Sequence, residues 1–340
     1  MEAVSLAFFL YLAAEIATPG VVYQQPQMAQ GQGIVALAFG AAEKILVATS
    51  ADGGKTFGQP VLVASDPDKP MLGRHRGPRI AITAKALVVT AHRGGELVAW
   101  RSMDLGKTWS KPARVNDVPS AAREGLHSTT SLPDGTLAAT WLDLREKGMR
   151  LYAATSRDHG ATWAKNVPVY VSQEPAGHIC ECCHPTIAAD GQGQLHVMWR
   201  NWLGGSRDMY FATSTDGGRT FGKADRLGEG TWKLQACPMD GGGMAIDEGG
   251  AVVTTWRREN TIYYASPGRG ERSLGEGKDP AIGISGRNVW ISWTKAGSLY
   301  AWTATSLEAK VIGTGAYPQM LGSLLAYERA GKIVVQDLKK

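Results

Sequence analysis

Beyond its first fourteen residues, this 340-residue chain has no stretch apolar for long enough to cross a bilayer as a helix, which argues against an integral membrane domain. Runs of like charge are missing too. The 36 Lys and Arg and 31 Asp and Glu leave a net charge of +5 scattered along the sequence, so no basic stripe or arginine-rich helix marks a nucleic-acid binder. Cysteine is scarce: there are four, and three of them stand within four positions. Plentiful instead are glycine, at 42, and tryptophan, at 11, a mix that suits an all-β protein with many tight turns better than a helical one. The length admits two average domains or one large repetitive one.

The apolar stretch from Ala3 to Ala14 is too short for a membrane span but long enough for the core of a secretory signal. Glu2 precedes it, without the Lys or Arg usual there. The expectation is a signal segment over 1–20, one domain over 21–340, and an exported protein, periplasmic or secreted. Export would bring the cysteines into an oxidising compartment.

Four segments share one pattern, Ser-x-Asp-x-Gly-x-Thr-aromatic, at spacings of 52, 54 and 58 residues. They are built on Ser50, Asp52 and Gly54; Ser102, Asp104 and Gly106; Ser156, Asp158 and Gly160; and Ser214, Asp216 and Gly218. The pattern is that of a hairpin turn: the carboxylate accepts backbone N–H bonds, the glycine takes a positive φ, and the closing aromatic packs between sheets. Each box follows two β-like runs, as in "ALVVTAH" and "LVAWRS", and similar pairs persist to the C-terminus where the box itself has decayed. Upstream of each pair lies an inner-strand candidate, opening at Pro26, Pro78, Ser128, Pro185, Gly241, Pro280 and Pro318. Periods of this length predict a β-propeller of four-stranded antiparallel blades. Seven blades are expected, with six and a leftover hairpin as the alternative. The seventh unit lacks an outer strand, which residues around "GVVYQ" (20–24) are expected to supply.

The boxes resemble the Asp-box repeats of the sialidase (neuraminidase) superfamily, also called BNR repeats, over most of the chain. The resemblance implies the propeller fold; Asp boxes also occur in propellers that cleave nothing.

Propeller topology sorts the unusual residues by face. The positions just before each inner strand crowd one mouth of the central channel: Gln25, Gly77 with Arg79 close behind, His127, His184, Asp240, Asp279 and Tyr317. The ends of the second strands point to the same face and carry Asp143 with Arg145, Arg200 with Asn201, Arg257 with Arg258, Lys295, and Glu328 with Arg329. Arg79, His127, His184, Asp240, Asp279 and Tyr317 are therefore the candidate ligand-binding set.

The stretch "HICECCHP" (178–185) forms the loop into the fourth inner strand, and "QACPMD" (235–240) is the equivalent loop one blade on. Cys180, Cys182, Cys183 and Cys237 are thus expected side by side. Disulfide bridging, a metal site and a reactive thiol all remain open. The metal reading takes those four cysteines with His184 and His127, soft ligands for zinc or copper. Met239 and His178 would turn the preference toward copper.

Sialidases hold a sugar carboxylate with three arginines, the first in a Phe/Tyr-Arg-Ile-Pro motif, and use a Tyr–Glu pair and an Asp acid. Gly77-Pro78-Arg79-Ile80-Ala81 is similar in position, without that aromatic and that proline, so the resemblance sets Arg79 as the first arginine and Tyr317 as the nucleophile. Glu124, Asp143 and Asp240 are the matching carboxylates. Two further arginines have no counterparts; Arg145 and Arg257 sit at strand ends instead. The leading expectation is binding at the mouth, of a metal ion or a small anionic or glycan ligand, by a monomer without hydrolysis. An exo-glycosidase of the sialidase type and a protein-binding scaffold with structural disulfides are the alternatives.

Overall fold

The computed structural model describes residues 13–65, 70–172 and 178–339. Seven antiparallel sheets stand in a ring, each a meander running outward from the channel. The inner strands are Gln24–Gly31, Arg79–Ile82, His127–Ser131, Thr186–Ala189, Gly243–Ile246, Lys278–Ser285 and Ala316–Leu321, within two residues of the positions expected. Each packs against the next in this order, and the last packs against the first. Seven blades, not six, complete the ring. Blade four carries a fifth strand, His178–Ile179, along the edge of Leu195–Trp202.

One strand differs from expectation. The outer strand of blade seven is Ala14–Ile16, paired antiparallel with Lys332–Asp337 (Ala14 opposite Val335, Ile16 opposite Ile333). Residues 20–24 cannot play that part, because the chain there must travel from the rim to the axis; Tyr23 N–H donates to Gly331 O and the first inner strand begins at Gln24. The expected 1–20 segment therefore overlaps the closing strand, while residues 1–12 of it lie outside the described residues.

The Asp boxes are built as the residue types require. Asp52 Oδ1 accepts from Lys55 N and Thr56 N at 3.0 Å, Asp52 Oδ2 accepts from Thr56 Oγ1 at 2.6 Å, and Ser50 Oγ accepts from Gly54 N at 2.8 Å. Gly54 and its equivalents Gly106, Gly160 and Gly218 have φ between +84° and +89°, a region where a Cβ is strained. Each closing aromatic packs on the apolar layer between its own blade and the preceding one: Phe57 between seven and one, Trp109 between one and two, Trp163 between two and three, Phe221 between three and four. The motif thus fixes a turn and joins two blades.

Candidate functional site

At the mouth, Gln25, Asp279 and Tyr317 each precede a proline and adopt φ of +50° to +55°. The first strand pair of each of these blades slips register at that point, between Gln24 and Gln27, Lys278 and Ala281, and Ala316 and Gln319. Such a bulge re-aims one side chain. Gln25 donates through its backbone N and its side chain to Glu328 Oε1, at 2.7 and 3.2 Å. Asp279 and Tyr317 instead meet His75, a residue that the sequence reading passed over.

His75 belongs to a tight turn, Gly73–Arg76, in the connection from blade one to blade two. Its imidazole Nε2 lies 2.9 Å from Asp279 Oδ1 of blade six, its ring stacks on His184 of blade four at 4.6 Å, and it meets Tyr317 of blade seven edge-on at 5.4 Å. His75 is 6% exposed, buried where side chains of three other blades converge at the mouth. Beneath it lies a chamber of about 180 Å³, lined by Gln27, Arg79, Ser128, Thr186, Gln319 and their neighbours. The available signal was a histidine between two arginines just before Gly77-Pro78; nothing local says that it reaches across the channel.

Asp240 and Asp279 form the acidic part of this mouth. Asp240 Oδ2 accepts from Asp279 N at 2.9 Å, while its Oδ1 is buried without a partner. Burial, with Asp279 adding to it, pushes the Asp240 carboxyl up. Burial acts on Asp279 in the same sense but is outweighed by His75, so its carboxyl is held below the usual range. His184 donates Nε2–H to Gly242 O at 3.0 Å, and burial, with His75 and Arg79 nearby, keeps its imidazole well below its ordinary pKa.

Other expected site residues are spent on structure. Arg79, 6% exposed, donates Nη2 to His75 O at 2.7 Å and Nη1 to Gly77 O and Pro78 O. It props the turn beneath His75. His127 is buried in the third inner strand with Nε2 against Thr90 Oγ1 at 3.1 Å, and burial lowers its pKa to about 3. Asp143 is fully buried and accepts four bonds, from Trp141 Nε1 and from Arg145 N, Nε and Nη2, at 2.8 to 2.9 Å. Glu124 lies on the loop before blade three, its carboxylate 3.6 Å from Arg76 Nη2.

The structure gathers three of the four cysteines. The sulfurs of Cys180, Cys182 and Cys183 all lie within 4.8 Å of one another, with Cys180 Sγ 3.3 Å from Cys183 Sγ and 3.6 Å from Cys182 Sγ. All four cysteines are free thiols, so the bridged arrangements are not what this structure records. Cys237 corrects the expectation of four neighbouring thiols: it is exposed, and the next-blade loop turns Met239 to the sulfurs instead. Met239 does so from a left-handed backbone, φ +55°. His184 and His127 are outside the three-sulfur group, and the side chain of His178 lies outside the described residues.

Two buried arginines set the charge there. Arg207 Nη1 donates to Cys180 Sγ at 3.0 Å. Arg200, 1% exposed, directs its donors at the carbonyls of Arg207, Asp240 and Arg257. Hydrogen bonding with Cys182 and Cys183 drives the Cys180 thiol well below its usual pKa, and Arg200 adds to this. Burial first, then its hydrogen bond with Cys180, pushes Cys183 up to about 12.

Among the described residues no helix is long and apolar enough to cross a membrane. Residues 42–239 match the family described as BNR repeat-like domain. No curated protein matches by sequence. Solved propellers do match in shape. An ulvan lyase of a polysaccharide lyase family is 10% identical, covering 96% of this chain and 94% of its own, at a TM-score of 0.62. The α-L-arabinanase of Penicillium chrysogenum is 15% identical, covering 95% of each chain, at 0.52. A Hadza microbial sialidase is 16% identical, covering 94% of this chain and 66% of its own, at 0.53. At these identities the likeness is one of fold.

Proposed function

The chain belongs to the BNR repeat-like domain family, and from that premise we propose that it binds a soft metal ion, copper(I) before zinc, through Cys180, Cys182 and Cys183 beside the channel mouth, without hydrolysing a glycan. The observation that carries this reading is the three-sulfur group. Thiolates at about 2.3 Å from a tetrahedral ion lie roughly 3.8 Å apart, so sulfurs already within 4.8 Å of each other need only small shifts. Three thiolates around a monovalent ion leave a double negative charge, and Arg200 and Arg207 stand ready to balance it. Met239, packed on the sulfurs, offers a thioether that favours copper(I). The protein is read as exported, where unligated thiols oxidise and a bound soft cation would shield them.

Against the glycosidase alternative stand the positions of its candidate residues. Arg79 has its guanidinium on three carbonyls, and Asp143 is sealed under Arg145. Tyr317 remains at the mouth, edge-on to His75, as does the buried Asp240. The test is metal analysis of protein purified without chelator, with thiol titration after denaturation. One ion per chain, lost in Cys180→Ser and Cys183→Ser, is expected. Release of a fluorophore from a sialoside, abolished by Tyr317→Phe, would reverse the conclusion in favour of the glycosidase. Absence of metal, with Cys180, Cys182 and Cys183 bridged, would favour the scaffold.

A further inference from the structure

The turn at Gly73–Arg76 is held in a conformation its residues do not favour. Gly73, Arg74 and His75 are successively left-handed, with φ of +94°, +49° and +67°, and two of the three carry a Cβ. Such a backbone persists when surrounding contacts impose it. From below, Arg79 Nη2 grips His75 O at 2.7 Å, and Arg76 Nε donates to Glu124 O at 2.7 Å. From above, the turn is fastened to four other blades: by His75 to Asp279, His184 and Tyr317, and by Arg74 to Met239 of the loop into blade five. The last contact is a guanidinium N–H on a thioether, Arg74 Nη1 to Met239 Sδ, at 2.8 Å.

Met239 is also the side chain that packs on Cys180, Cys182 and Cys183. Met239 therefore touches a cation of the plug through its sulfur and packs against the three thiols. A thioether lone pair given to a metal ion is no longer an acceptor for Arg74, and turning Sδ toward the thiols carries it from the guanidinium. We propose that the Gly73–Arg76 turn is a plug over the central chamber, latched through Arg74 to Met239, and that capture of a soft metal ion by the three thiols draws Met239 in and releases the plug. This rests on the metal-binding reading of the thiol cluster. The proposal gives that site a consequence: metal occupancy opens the polar chamber of about 180 Å³ lined by Arg79, His184, Gln27 and Gln319.

The test uses the full chain, reduced and kept under anaerobic conditions, with copper(I) added as its acetonitrile complex. Hydrogen exchange of the peptide spanning residues 71–78 reports the plug, and bound copper per chain is measured on the same samples. In the wild type, one equivalent of copper(I) should speed exchange across Arg74–Arg76 by about tenfold, the scale set by loss of one charged hydrogen bond. Met239→Leu keeps the bulk but not the thioether donor; it should bind copper more weakly, and at a copper concentration where one ion per chain is measured its exchange should be the same with and without metal. Metal-free Arg74→Gln should already exchange fast. Copper bound by the wild type with no change in the peptide overturns the latch and leaves the metal site standing, as does a response in Met239→Leu equal to that of the wild type. A wild type that binds no copper overturns the metal reading, and the latch with it.

Discussion

Asp143 provides the sharpest separation between a catalytic and a structural carboxylate at this mouth. It has no measurable exposure and receives four hydrogen bonds, one from the buried indole of Trp141 and three from Arg145. Arg145 in turn reaches Asp117 Oδ1 at 2.8 Å and Asn166 Oδ1 at 2.7 Å, and lies 3.8 Å over the Tyr152 ring. Replacing Asp143 with Asn keeps the shape but sets an amide N–H₂ against donors. At least one donor is then orphaned, and the Arg145 charge loses its closest counter-ion. An unsatisfied buried donor costs about 1–3 kcal/mol, and breaking a buried charge pair from one side costs roughly 3–5 kcal/mol. Because Arg145 keeps Asp117, the expected loss lies at about 3 kcal/mol. Urea unfolding followed by tryptophan fluorescence measures it, comparing midpoints at constant slope. The same geometry recurs one blade on, where Trp199 Nε1 donates to Asn201 Oδ1 at 2.7 Å, as a structural element would. A loss under 1 kcal/mol, or a gain in stability, would refute the argument and return Asp143 to the candidate catalytic groups.

Four further outcomes follow from the same structure. His127 and His92, held neutral at pKa values of about 3 and about 4 by burial, take up a proton near pH 6.5 when unfolded. The stability they contribute is present above that pH and falls as it drops, by about 2 kcal/mol each between pH 7 and pH 5; denaturation midpoints across that range check it, and His92→Gln should make the slope shallower, with His127 and His184 supplying what is left. In the first Asp box, Gly54→Ala should cost more than Gly53→Ala. Both have positive φ, worth about 1–2 kcal/mol, but a Cβ on Gly54 would lie 2.8 Å from Leu324 Cδ1 of blade seven, whereas nothing stands within 4 Å of one on Gly53. Ile16, 5% exposed in the closing strand and packed among Tyr23, Phe39 and Ile333, should cost about 2 kcal/mol on truncation to Ala. If an N-terminal segment is removed on export, sequencing should find the new terminus at or before Ala14.

Much of the fold was legible because its signals are local. A box such as Ser50 to Thr56 closes its own turn through contacts no more than four residues apart, so the letters carry the geometry wherever they recur. The repeated pairs of β-like runs, five of them preceded by a proline, extend the count to seven blades. Ala14–Ile16 escaped because its partner is more than 300 residues away and three residues carry no periodicity. At the site, sequence position placed His184, Asp240, Asp279 and Tyr317 at one mouth, since entry into an inner strand is a topological address. For Arg79 and Asp143 it gave the address but not the neighbours that engage their polar atoms.

The amino-acid sequence by itself determined the turn chemistry, the repeating strand unit and the face on which the chemistry-bearing loops emerge, because each depends on short-range contacts repeated along the chain. Tertiary structure alone decided which of those residues touch. It put His75 across the channel, and it brought Met239 rather than Cys237 to the three thiols. Those choices depend on the paths of two long loops whose ends are fixed by different blades, and a loop's path is set by what it packs against, not by its letters.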